Sequence, residues 1–289
     1  MKKLLEILRS SGGHWVGDGF PVRSLFGYNG DTRAISPFLL FDYAGPHLFE
    51  PAAEPRGVGQ HPHRGFETVT IVYDGEVSHK DSTGGGGTIG PGDVQWMTAA
   101  GGIIHEEFHS PSFTKTGGPF RMVQLWVNLP AKDKMSRPSY QAITNNQIPS
   151  VSFAHGRGRA RVIAGDFDGT KGPATTFTPV NLWDVRLNAG AAAELPLPDG
   201  HNAMIAILAG QVTVDGKVVR EAEIARLSSE GEGARVQADG DSILLVMTGE
   251  PIDEPVVGYG PFVMNTEDEI RQAIHDFNSG RFVRVAENA

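Results

Sequence analysis

The stretch His61-Pro62-His63-Arg64-Gly65-Phe66-Glu67 decides how the rest of this 289-residue chain is read. Side chains at i and i+2 of a β-strand project from the same face, so His61 and His63 can aim inward together. Further along, Gly102-Ile103-Ile104-His105-Glu106-Glu107 places an imidazole and a carboxylate, His105 and Glu107, at the same spacing. If the two strands face each other across a barrel, three imidazoles and one carboxylate converge. That N/O set suits a divalent transition metal such as iron and leaves room for water, dioxygen or substrate. Glu67 shares the odd-numbered face with both histidines, so it competes with Glu107 for the carboxylate place.

The sequence around these motifs reads as short strands separated by turns. Residues 66–73 are rich in β-branched and aromatic side chains, and Asp74-Gly75 is a hairpin turn signal before a return strand at 76–79. The glycine run 84–87 lacks a following Lys-Ser/Thr, so a hairpin turn accounts for it better than a phosphate loop. Residues 94–97 and 122–127 are further strands. Turn signals roughly every ten residues imply an all-β sandwich or barrel.

Composition agrees. Gly 37, Pro 19 and 20% charged residues suit a turn-rich β protein, and the length fits one large domain or two ordinary ones. A formal net charge of -9 with scattered positive residues argues against nucleic acid as a partner. Cys is absent, which removes disulfides, thiolate nucleophiles, iron–sulfur clusters and Cys-ligated zinc together. The opening Met1-Lys2-Lys3-Leu4-Leu5-Glu6 is a poor secretory signal because Glu6 interrupts a short apolar stretch. No run is long enough to span a bilayer, so a soluble cytoplasmic protein without a membrane partner is expected. Residues 2–9 read as one or two amphipathic helical turns.

The second half echoes the first. Tyr73-Asp74-Gly75-Glu76-Val77 is similar to Leu208-Ala209-Gly210-Gln211-Val212, and 94–97 has a counterpart in 224–227. Residues 130–147 are polar and proline-punctuated and read as a linker. Two barrels in tandem follow, 1–135 and 136–289, with metal ligands in the first alone. The repeat places Pro196 and Pro198 at the positions of His61 and His63, and Arg235 and Gln237 at those of His105 and Glu107, and no H-x-H occurs in the second half. A capping box at Thr266 and Glu269 starts a short C-terminal helix whose buried face is Ile270, Ala273, Ile274 and Phe277, ending at Gly280. Phe66, Trp96 and Met97 suit either a pocket wall or barrel core. His109, in a Ser/Pro-rich loop, is expected to be solvated.

Several motifs together resemble the pirin family of the cupin superfamily. They are His61-Pro-His-Arg-Gly-Phe-Glu-Thr-Val-Thr, Gly90-Pro-Gly-Asp-Val-Gln-Trp-Met-Thr-Ala, Gly102-Ile-Ile-His-Glu-Glu and Gln124-Leu-Trp-Val-Asn-Leu-Pro-Ala-Lys. Pro37-Phe-Leu-Leu-Phe-Asp and Tyr259-Gly-Pro-Phe-Val-Met-Asn-Thr extend the likeness over nearly the whole chain. The resemblance implies an all-β bicupin of two tandem jelly-roll-like barrels. By motif position its metal ligands are His61, His63, His105 and Glu107, and the metal is usually iron, with nickel, copper, manganese, cobalt and zinc as alternatives. The general cupin pattern offers Glu67 instead, and it expects Gly where Asp93 stands; both departures favour Glu107.

Two functions come with the family. Bacterial members resemble quercetin 2,3-dioxygenases, which open a flavonol heterocycle with dioxygen. Here Glu107 would act as general base and a small aromatic substrate and O2 would be the partners. Eukaryotic members resemble redox-sensing cofactors that bind a protein partner through the state of the metal, without turnover.

Overall fold

The structure, a computed structural model, describes residues 1–283. With 53% of the described residues in strands and 10% helical, it is the all-β bicupin expected, two cupin domains with one short C-terminal helix. No helix among the described residues is long and apolar enough to cross a membrane.

Two compact units form, and each draws on separate parts of the chain. One contains Gly12–Thr32, Phe38–Asn145 and the residues from Ile252 onward; the other contains Met1–Ser11, Arg33–Pro37 and Asn146–Pro251. The sequence-based division ran instead at 135/136. The differences trace to edge strands. Leu4–Arg9 is a β-strand and not helical turns, because it pairs antiparallel with Glu223–Leu227, placing Ile7 opposite Ala225 and Leu8 opposite Ile224. Sheet pairing supplies its backbone hydrogen bonds, and so short a helix is marginal by itself. Within the expected linker, Ser139–Ile143 pairs with Val94–Thr98 and so completes the first barrel.

In the first unit the larger sheet runs Ser139–Ile143, Val94–Thr98, Phe66–Asp74, Gly118–Asn128, Phe38–Phe49, Phe20–Gly27, Gly13–Val16. The smaller runs Gly57–His63, Ile103–His109, Val77–Asp81, Gly86–Ile89. One end of the barrel is filled by an apolar cluster that includes Phe20, Val22, Phe49, Val72, Val77, Phe120 and Met122. His109 stands opposite Val77 at this end, is buried, and shares a 3.0 Å hydrogen bond between its Nε2 and Gly19 O, which corrects the expectation of a solvated loop. The opposite end, towards His63 and Ile103, carries the polar side chains.

The second unit repeats this plan with Ala192–Leu195, Ala234–Ala238, Gln211–Val214 and Lys217–Arg220 as its smaller sheet. The hairpin glycines match, Gly75 at φ 85° and Gly210 at φ 76°. Val77 is opposite His109 and Val212 is opposite Ala238, so Ala234 and Val236 occupy the positions of His105 and Glu107. Leu195 is opposite Ala234 as His61 is opposite His105. Leu195, Leu197, Ala234 and Val236 all belong to that unit's hydrophobic core, whereas Arg235 and Gln237 are exposed. The sequence repeat was one residue out of register, and in a strand one residue exchanges inside for outside.

The C-terminal helix, Glu267–Asn278, carries the expected capping box, with Glu269 N donating to Thr266 Oγ at 3.2 Å and Thr266 N to Glu269 Oε2 at 2.9 Å. Ile270 and Ala273 pack with Phe262, Met264 and Phe282, and Ile104 of the strand that carries His105 joins them. Phe277 lies at the margin of this face, 39% exposed.

Gly65 joins the two strands that flank the first motif, at φ 92°, and a Cβ there would fall 2.0 Å from Val263 O. A Gly65→Ala change therefore meets both a strained backbone and a backbone clash. It should lower stability by about 2–3 kcal/mol, measured as a shift in the urea midpoint at constant slope.

Candidate metal centre

The turn at Arg64-Gly65 is held from several sides, and it sets the two motif strands. Gly65 N donates to Ala100 O at 2.8 Å and Val263 N to Arg64 O at 3.0 Å. The Arg64 guanidinium pairs with Asp276 at 2.8 Å and lies 4.4 Å above the Phe282 ring. Lys134, buried, donates from Nζ to Gly65 O at 2.7 Å, Asn128 Oδ1 at 2.6 Å and Val263 O at 2.9 Å, which uses all three ammonium donors.

On that support His61 lies directly opposite His105, and His63 opposite Ile103. Ring centroids are 4.3 Å apart for His61 and His105, and 4.9 Å for His63 with either of the others. The three imidazoles offer ligand nitrogens all within 4.8 Å of one another. His63 and His105 are buried, and His61 is half-buried, so the cluster is open on the His61 side. His61 Nδ1 donates to Gly59 O at 2.9 Å, which leaves its Nε2 lone pair free to bind.

Electrostatics keep this cluster neutral. Burial, and then the neighbouring imidazoles, push His63 and His105 well below the ordinary histidine range, and burial lowers His61. Neutral imidazole is the ligating form. His63 Nδ1 and both nitrogens of His105 are buried without a hydrogen-bond partner, although buried polar atoms are nearly always paired. Three unprotonated donors with unclaimed nitrogens fit a divalent transition metal.

The two carboxylates are placed differently. Glu107 follows a β-bulge after His105 and stands opposite Val58 on one side and His79 on the other. It is not part of the compact three-histidine cluster. Burial raises its pKa to about 7 against the pull of Thr70, and its Oε1 has no partner. Glu67 accepts a hydrogen bond from Thr98 Oγ at 2.7 Å and is likewise raised to about 7 by burial. Trp126, 5.4 Å from the His63 ring, is in register with Thr68. The face of Phe66–Asp74 that meets the histidines is thus that of Thr68 and Thr70, and Glu67 points to the other. The shared odd numbering misled because the turn at Gly65 breaks the alternation.

Aromatic rings form one wall of the site. Phe66 is 5.2 Å from His63 and stacks on Trp126 at 4.2 Å, and Tyr28 stacks beyond Trp126 at 6.2 Å. Phe66 is therefore a wall, whereas Trp96, in register with Val69, lies on the face away from the histidines, and Met97 packs with Ala99 and Ile103. Leu40, Asp42, Gln124 and Trp126 are all half-buried and lie on the inner face beside the opening. The other wall is polar: His79 Nε2 and the Tyr140 hydroxyl are 2.7 Å apart, and Thr70 donates to Gln124 Oε1 at 2.6 Å. Trp126, Tyr28 and Tyr140 gave no signal of a site role in the sequence, since they reach it only through strand pairing.

Comparison with known proteins places these features in a family. The family model described as Pirin matches residues 19–127, and that described as Pirin C-terminal cupin domain matches 182–283. A Pseudomonas aeruginosa protein provisionally named quercetin 2,3-dioxygenase is 57% identical over 285 residues, covering 99% of this chain and 100% of its own. Human pirin is 37% identical over 272 residues, covering 92% of this chain and 89% of its own. The crystal structure of a quercetin 2,3-dioxygenase from Acinetobacter baumannii superposes with a TM-score of 0.95 at 53% identity, covering 98% of each chain.

Proposed function

The chain belongs to the pirin family, and from that premise we propose that it is an iron-dependent dioxygenase that opens the heterocycle of a flavonol such as quercetin. We assign His61, His63, His105 and Glu107 as the metal ligands and Glu107 as the general base. The observation that carries this reading is the cluster of three neutral, unclaimed imidazoles within 4.8 Å, beside a wall of stacked aromatic rings. The names of the relatives at 57% and 53% identity support the same substrate class.

Bound at the histidines, the metal supplies a Lewis acid that lowers the pKa of the substrate hydroxyl, and redox access to dioxygen. The chain's own residues do the rest. Phe66 and Trp126, stacked on each other, form an apolar aromatic flank beside His63 that a planar ring system can border. Glu107, buried and with an Oε1 that no protein group claims, is placed to take the substrate hydroxyl proton. His79 and Tyr140 close the polar side by their mutual hydrogen bond. Burial of His63, His105 and Glu107 keeps bulk water from the reacting centre.

Purified protein reconstituted with ferrous iron should hold about one metal per chain. It should take up oxygen with quercetin and release carbon monoxide in equal amounts, lose this on chelation, and regain it with added iron. Protein that holds the metal yet consumes no oxygen with any flavonol would overturn the enzymatic reading in favour of a redox-sensing binding protein.

A further inference from the structure

We propose that Gln95 is a ligand-recognising residue of this site, its carboxamide pairing with an oxygen-bearing group of the planar aromatic ligand. The inference rests on the flavonol reading above and adds to it a residue outside the metal set.

Gln95 sits on Val94–Thr98, where it is in register with Thr70, and Thr70 is in register with Gln124. Its side chain therefore shares the inner face with both. Thr70 lies against the Glu107 carboxylate. Met97, two residues on and on the same face, packs with Ile103, the register partner of His63. Gln95 is thus aimed into the same interior as the histidines and Glu107.

Its burial makes the position informative. Gln95 is 0% exposed, and neither its Nε2 nor its Oε1 has a hydrogen-bond partner. A buried amide left unpaired is destabilising, whereas an apolar side chain of similar shape at the same place is neutral or better. Of the polar groups on this face, the Thr70 hydroxyl donates to Gln124 and His79 Nε2 is bonded to Tyr140. Neither polar atom of Gln95 is paired within the fold. A carboxamide offers both donor and acceptor, which matches the hydroxyl and carbonyl groups carried by flavonols. A site built to pair with such a group also rejects analogues that lack it.

The test is Gln95→Met, which keeps the length of the side chain and removes both polar atoms. Wild type and variant are loaded with iron, kept anaerobic so that no turnover occurs, and titrated with quercetin; ligand-free melting temperature and metal content are measured beside this. The expected result is unchanged metal content, a melting temperature equal to or above wild type, and about tenfold weaker quercetin binding. Unchanged quercetin affinity would overturn the role of Gln95 alone. A lowered melting temperature would overturn it as well, since that would make the side chain a structural element. Wild-type protein that binds metal but no quercetin would overturn the flavonol reading, and this inference with it.

Discussion

Glu107→Gln should lower flavonol turnover by about 10²- to 10⁴-fold, the range by which a positioned general base contributes. The amide keeps the volume of the carboxylate, and Thr70 and His79 still border it. What it loses is the capacity to take a proton. Three imidazoles remain to hold the metal, so iron content at saturating metal is expected to stay above half of the wild-type value, with weaker affinity because one ligand is poorer. Single-turnover rates with quercetin, set beside iron content from the same samples, separate loss of base from loss of metal. A variant with full metal and full turnover would remove Glu107 from the chemistry. A variant that loses its iron would make Glu107 chiefly a ligand.

Lys134→Met should cost about 3 kcal/mol of stability, on the scale for leaving buried acceptors without their donor. Its ammonium holds Gly65 O, Asn128 Oδ1 and Val263 O at 2.6 to 2.9 Å. Methionine fills a similar volume and leaves those acceptors buried without this donor. The effect should reach the histidine cluster, because Gly65 lies in the turn between His63 and the strand that opens at Phe66. Weaker iron binding is therefore expected at temperatures where the variant is still folded. Urea unfolding of the metal-free protein isolates the stability change from any contribution of the ion. A loss under about 1 kcal/mol would show that the three acceptors are satisfied without Lys134.

Much of the site was legible before the fold. H-x-H and H-x-E each span three residues, and within one strand alternation alone puts the end residues on one face. That is why His61 and His63 meet; His105 faces them because Ile103–His109 pairs with Gly57–His63. The same argument failed for Glu67, because parity does not survive a turn with a glycine at φ 92°. It failed in the second barrel for a related reason: matching strand 94–97 to 224–227 places Arg235 and Gln237 where Ala234 and Val236 belong, a slip of one residue. His109 was misjudged because its Ser/Pro-rich surroundings suggested solvent. The strand in fact runs on to His109 and carries it under Phe49 and Phe120.

What the sequence determined by itself was local: the strands, the hairpins at Gly75 and Gly210, the helix cap at Thr266, and the spacing of the histidines. Each of these depends on backbone geometry and contacts within a few residues, and such signals are present in any short window of the chain. Only the tertiary structure decided which residues surround the histidine cluster. Trp126, Tyr28, Tyr140 and Gln95 reach the site through strand pairing between distant segments, and Leu4–Arg9 becomes a strand only because the edge strand Glu223–Leu227, over two hundred residues away, accepts it. Register across a turn and the partner of an edge strand are properties of the assembled sheet, where side-chain packing and backbone pairing are resolved together.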